Sequence, residues 1–171
     1  FRVQLDPFDV EIPQLYIHDQ NSAVNVHTDG FISVKDNNWF VSLNSHSDAA
    51  DLENVFYFWP ETHKSKVRKW VADHFEDSKL LDISMHTEMK NGLAPKLSWS
   101  FAFSETSFAP LKDFPSIEQS YGHFVSADYA TSVILEEGII FDETGKVIDV
   151  AGSSFFIKDS RIKPSPAEIL I

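Results

Sequence analysis

Phe31-Ile32-Ser33-Val34-Lys35-Asp36-Asn37-Asn38-Trp39-Phe40-Val41-Ser42-Leu43 can be read in two ways, and the fold turns on the choice. As a hairpin it runs out and back around a turn at Asp36–Asn38. As a helix it uses Phe31, Val34 and Lys35, then Trp39, Phe40 and Leu43, which are spaced to share one stripe. Just upstream, Val24-Asn25-Val26-His27 alternates like a strand, and Thr28-Asp29-Gly30 carries a turn signal. Residues 1–22 read as extended and irregular: Pro7 and Pro13 break helices, while Val10, Ile12, Leu15 and Ile17 offer scattered apolar anchors. That segment is expected to drape over the body.

Downstream the signals are cleaner. Val55-Phe56-Tyr57-Phe58-Trp59 is a short aromatic run ended by Pro60 and reads as a strand. Thr62 is placed to cap a helix whose stripe is Val67, Trp70, Val71, His74 and Phe75, with Lys64, Lys66, Arg68 and Lys69 on a solvated outer side. Ile83, Met85, Thr87 and Met89 then alternate with Asp82, Ser84, His86 and Glu88, before a turn at Asn91-Gly92. Leu97, Trp99, Phe101 and Phe103 alternate with Ser98, Ser100, Ala102 and Ser104, the most regular two-residue period in the chain. Phe124–Phe141 suits one bent strand or two, and Thr144-Gly145 turns into Lys146–Lys158. With no linker or repeat, residues 1–171 read as a single α+β domain: a curved antiparallel sheet packed against one to three helices. An all-β sandwich or barrel with one helix is the alternative.

Composition bounds the function. The chain has 26 acidic and 14 basic residues for a net charge of −12, which repels phosphate backbones and anionic lipid, so neither nucleic acid nor membrane is an expected partner. The charge also serves solubility. There are no cysteines, which excludes disulfides, thiolate metal sites and a Cys nucleophile but leaves the compartment open. Aromatic residues reach 13%, enough either to fill a core or to wall a pocket for an apolar ligand. The sequence begins at Phe1 rather than Met, as a trimmed or processed piece would.

The order of short strand, helix and long antiparallel strands resembles the cone-shaped fold of the nuclear transport factor 2-like superfamily, with its SnoaL-like cyclases. Two stretches carry the likeness: Asp51–Phe75, similar to a strand–loop–helix unit, and Gly138–Ile162, similar to a terminal hairpin. The latter contains Thr144-Gly145-Lys146 and Phe156-Ile157-Lys158-Asp159-Ser160-Arg161-Ile162, with Ser160 where the family usually has Gly. The resemblance implies a cone-like barrel around a cavity, closed by the Val67–Phe75 helix, that binds a small apolar molecule. It also favours the helical reading of Phe31–Leu43, as a stand-in for the family's opening helix.

Function then rests on a few side chains. In a cone, His74 would face the cavity from the helix, and His86 or Glu88 would act as general base for cofactor-free isomerase, cyclase or dehydratase chemistry. Trp59, Trp70, Trp99, Phe101 and His123 are the candidate ligand contacts, and no cofactor or metal is expected in this reading. A homodimer formed through the sheet is open to such a chain. Two rivals remain. One is a non-catalytic secreted or surface interaction domain, whose mark would be Trp39, Trp59 or Trp99 exposed in a flat patch. The other is a non-haem iron oxygenase built on the H-x-[DE] words His27-Thr-Asp29, His46-Ser-Asp48 and His86-Thr-Glu88. It would take His123 as the distal ligand and Lys158 or Arg161 for a cosubstrate. Seven histidines at an acidic frequency of 26/171 give about one such word by chance, so three is a mild excess.

Overall fold

The computed structural model describes residues 1–5, 8–18, 24–59, 61, 65–76, 78–110, 114–162 and 167–171. The chain opens not with a drape but with two strands, β1 (Arg2–Leu5) and β2 (Phe8–His18), that build one end of the sheet. β3 (Asn25–Lys35) and β4 (Asn38–Asp51) follow, so Phe31–Leu43 is a hairpin and the helical reading falls. The turn decides it. Asp36 and Asn37 both have positive φ, 51° and 62°, the pair of values a tight two-residue hairpin turn requires and Asn and Asp tolerate. Thr28-Asp29-Gly30 is no turn but the middle of β3. Gly30 lies where a Cβ would stand 2.0 Å from the Ser42 carbonyl oxygen, so the residue serves close approach of two strands.

Helix α1 (Leu52–Phe58) occupies the aromatic run read as a strand. Leu52, Val55 and Trp59 are buried while Tyr57 is 84% exposed, a helical stripe that the β-favouring composition masks. Helix α2 (Ser65–His74) matches the expected amphipath, except that Phe75 belongs to β5 (Phe75–Glu76). Thr62 and Lys64, and the side chains of Lys66 and Val67, lie outside the described residues. Arg68 does not merely face solvent: its Nε donates to the Trp59 carbonyl at 3.1 Å, and its guanidinium sits 4.7 Å over the Phe56 ring, tying α2 to the end of α1.

The remaining strands form a meander: β6 (Lys79–Lys90), β7 (Lys96–Phe108), β8 (Ile117–Ala127) and β9 (Ala130–Phe141), then β10 (Val147–Asp149), β11 (Ser154–Ile157) and β12 (Ala167–Leu170). All pairings are antiparallel, in the order β1-β2-β3-β4-β6-β7-β8-β9-β11-β12, with β10 also on β9 and β5 on β7. Among the described residues only α1 and α2 are helical, so the class is mostly antiparallel β rather than α+β. The sheet is open, ending at β1 and β12, so neither a helix-packed cone nor a closed barrel or sandwich describes it. The cone is thereby set aside as a description of the fold.

One face of this sheet holds the core. Leu97, Trp99, Phe101 and Phe103 of β7 point there, beside Phe124, Val133 and Leu135, and α1 and α2 cover them with Val55, Trp59 and Val71. Burying such side chains contributes roughly 1.5–3 kcal/mol each. The other face, carrying the serines of β7 and the histidines of β3, β4 and β6, is left uncovered by the helices.

Candidate functional site

Residues paired directly across antiparallel strands point to the same side, and residues two apart along a strand do so as well. These two rules assemble the polar site. Across β3, β4, β6 and β7 the register sets Asp29 beside Asn44, Asn44 beside His86, and His86 beside Ser98. Two residues along, His27 is beside His46, His46 beside Ser84, and Ser84 beside Ser100. Both rows open on one hollow of about 440 Å³ on the uncovered face, with Gln14 of β2 and Val125 of β8 at its margins.

Hydrogen bonds orient two of the three histidines. Asn44 Nδ2 donates to Asp29 Oδ2 at 2.9 Å, because a carboxylate can only accept. That turns Asn44 Oδ1 toward His86, whose Nδ1–H donates to it at 2.8 Å. His86 therefore holds its Nδ1 proton toward Asn44, which leaves Nε2 outside this bond. His46 Nε2 lies 3.2 Å from Asp48 Oδ1 and its Nδ1 lies 3.4 Å from Ser84 Oγ. His27 packs edge-on against the Tyr16 ring at 4.6 Å. The first members of all three H-x-[DE] words thus share one hollow. Yet among the described residues no three His, Asp or Glu side chains converge closely enough to hold a metal ion.

The sequence-based trio does not assemble. Glu88 shares the face of His86 but is tied to Lys90 at 2.9 Å and faces Lys96 at 3.8 Å. The hydrogen bond from Lys90, with both lysine charges, holds its carboxyl below the ordinary glutamate range, which disfavours it as a base. His74 is on α2, its Nδ1–H donating to the Trp70 carbonyl at 2.8 Å and its ring stacked on Trp70 at 5.1 Å. Since α2 covers the core face and His86 lies on the other, the sheet stands between them. His123, on the open face of β8, pairs with Glu136 at 2.9 Å and stands outside the hollow.

The aromatic candidates divide as well. Trp70 stacks over Phe155 at 6.4 Å and Phe101 over Phe124 at 4.6 Å, both as core packing. Trp59 stacks on Trp99 at 4.7 Å, and Trp99 lines a second pocket of about 140 Å³ between the core face and α1. Val24, Val26, Ala50, Val55, Ile83 and Met85 wall it, with Thr28, Ser45, His46 and Ser47 as its polar groups. The Trp99 indole Nε1–H is buried and has no hydrogen-bond partner among the described residues. Trp59 and Trp99 are therefore inside, and of the three tryptophans proposed to mark an interaction patch only Trp39 is exposed.

Several residues escaped the sequence reading. Asn44 and Gln14 join the hollow only through register and a β2 bulge between Ile12 and Leu15, which no local pattern announces. Val55 lines the apolar pocket because the aromatic run is a helix. No helix among the described residues is long and apolar enough to cross a membrane. Comparison of the chain with protein families, with curated proteins and with solved structures returns no match.

Proposed function

We propose that this chain is a small-molecule-binding domain whose ligand lies between the sheet and α1. The apolar pocket of about 140 Å³ beside Trp99 carries the reading. An apolar cavity near 150 Å³ accepts a molecule of benzene's size, so the ligand is a single small ring or its aliphatic equivalent. Trp99 supports this with a buried, unpartnered donor in the same wall, a polar handle of the kind that orients ligands in otherwise apolar sites. Proton transfer by His74 with His86 and Glu88 is no part of the proposal, since these groups do not meet.

Titration with benzene, followed through the Met85 and Ile83 methyl resonances, tests it. Saturable shifts are expected in the parent protein. Ala50→Leu, which places a larger side chain in the pocket, should abolish them while leaving the thermal midpoint equal or raised. Absence of shifts in the parent, or shifts that persist in Ala50→Leu, would count against the pocket.

A further inference from the structure

We propose that the polar hollow on the opposite face is an acyl-transfer site, with Ser84 as nucleophile and His46 as its base. The hollow and the apolar pocket share His46 and Met85 in their linings, but Ser84, Ser98 and Ser100 belong to the hollow alone and Ala50 and Val55 to the pocket alone. Asp48 can only accept, so the 3.2 Å contact assigns the ring proton of His46 to Nε2. Nδ1 then carries the lone pair, 3.4 Å from Ser84 Oγ, and the serine hydroxyl donates to it. This is the tautomer a base needs, and such contacts are commonly looser before substrate binds. His46 and Ser84 are directly paired on β4 and β6, and Asp48 follows His46 by two residues on the same face, so the three groups stand on rigid strands rather than loops.

The other side of Ser84 supplies the second requirement. Ser100 is its direct partner on β7, and Ser98 is the partner of His86. Backbone N–H groups in a sheet are committed to the ladder, so these hydroxyls are the donors available to a developing oxyanion. Hydroxyl donors, and an Asp48 side chain that is 92% exposed, make a modest catalyst rather than a fast one. The mixed lining, with serine, histidine and asparagine side chains beside Pro13 and Val125, and the 440 Å³ volume suit a short-chain ester.

The chemistry balances without a cofactor. Ser84 Oγ attacks the ester carbonyl carbon while its proton passes to His46 Nδ1. The tetrahedral adduct collapses, the ester C–O bond breaks, and the alcohol leaves with the proton from His46. Water then attacks the acyl-Ser84 ester, again giving a proton to His46. The carboxylic acid leaves and Ser84 is reprotonated. Asp48 is a positioning residue in this scheme.

The full chain treated with a fluorophosphonate probe should acquire one phosphonyl group, mapped by mass spectrometry to Ser84. The adduct should vanish in Ser84→Ala and form at least tenfold more slowly in His46→Ala. Hydrolysis of p-nitrophenyl acetate should fall at least tenfold in Ser84→Ala. Asp48→Asn should lower kcat a few-fold with KM unchanged, because an exposed carboxylate orients weakly. No adduct, an adduct elsewhere, or full hydrolysis in Ser84→Ala (the signature of free imidazole acting alone) would overturn the proposal. Ala50→Leu should leave this activity intact, which keeps the two sites separable.

Discussion

Replacing Gly122 with alanine should destabilise the protein by about 4 kcal/mol, a large share of the roughly 5–15 kcal/mol that holds a domain of ordinary size. Gly122 is paired with Phe103 on β7 and with Leu135 on β9, and a Cβ there would lie 2.1 Å from the Ile134 carbonyl oxygen and 2.8 Å from Phe103 Cζ. An ordinary carbon–oxygen contact is about 3.3 Å, so β8 and β9 must part locally by roughly 1 Å. That breaks one or two ladder bonds inside the sheet, at about 1–3 kcal/mol for each buried group left unpaired. Displacing the Phe103 ring adds about 1–3 kcal/mol of overpacking. Urea denaturation measures the sum. With a slope of roughly 2 kcal/mol per molar, the midpoint should fall by about 2 M at unchanged slope. Gly92→Ala is the control: its site is open, and only its φ of +72° opposes a side chain, so about 1–2 kcal/mol is expected. A Gly122→Ala loss no greater than that of Gly92→Ala would refute the close-approach reasoning.

Phe103 is fully buried between Phe75 at 5.6 Å and Phe108 at 5.8 Å, so Phe103→Ala should cost about 3–5 kcal/mol in the same assay. Combined with Gly122→Ala it should cost less than the two losses added, because removing the ring removes one of the two clashes. Asp159 accepts from the Arg161 guanidinium at 2.6 Å and from its backbone N–H at 2.9 Å, which together hold its carboxyl at about 2. A depressed folded pKa means a stabilising contribution that is complete above the unfolded value of about 3.9 and is lost as pH falls through about 2. An NMR titration of the Asp159 carboxyl should show that low midpoint, and Arg161→Ala should move it upward.

What could be read from the sequence followed the reach of each signal. Leu97–Ser104 and Asp82–Glu88 declare a two-residue period, and both are strands in which the expected side chains face the core. The amphipathic stripe of α2 was equally plain. Val55–Trp59 misled because aromatic rings favour strands on average, whereas Leu52, Val55 and Trp59 happen to face one neighbour, the Trp99 side of the sheet. Phe31–Leu43 fits either period, and only the left-handed backbone of Asp36 and Asn37 separates them. The polar hollow was half legible. The words His46-Ser-Asp48 and His86-Thr-Glu88 state which residues share a face, but not that Ser84 would stand beside His46. That depends on where β4 and β6 meet, and the intervening helices hide the register from any local pattern.

Nearly every strand here pairs with its neighbour in sequence, so the chain can assemble like a zip, each strand adding to an edge already formed. β11 joins β9 over the short β10, and β5 joins β7 over β6, but it is the join between β4 and β6 that links the two meanders. β4 and β6 meet only after the excursion from Leu52 to Ser78, whose ends are clasped by the Leu52 N–H donating to the Ser78 carbonyl at 3.1 Å. Closing a loop of about 27 residues rather than two costs roughly 2 kcal/mol more in chain entropy. The β4–β6 seam should therefore be the slow step of folding, with β1–β4 and β6–β9 forming as separate halves that wait for each other. Both hollows lie across that seam. Neither exists in either half alone, so their appearance would report the last event of folding.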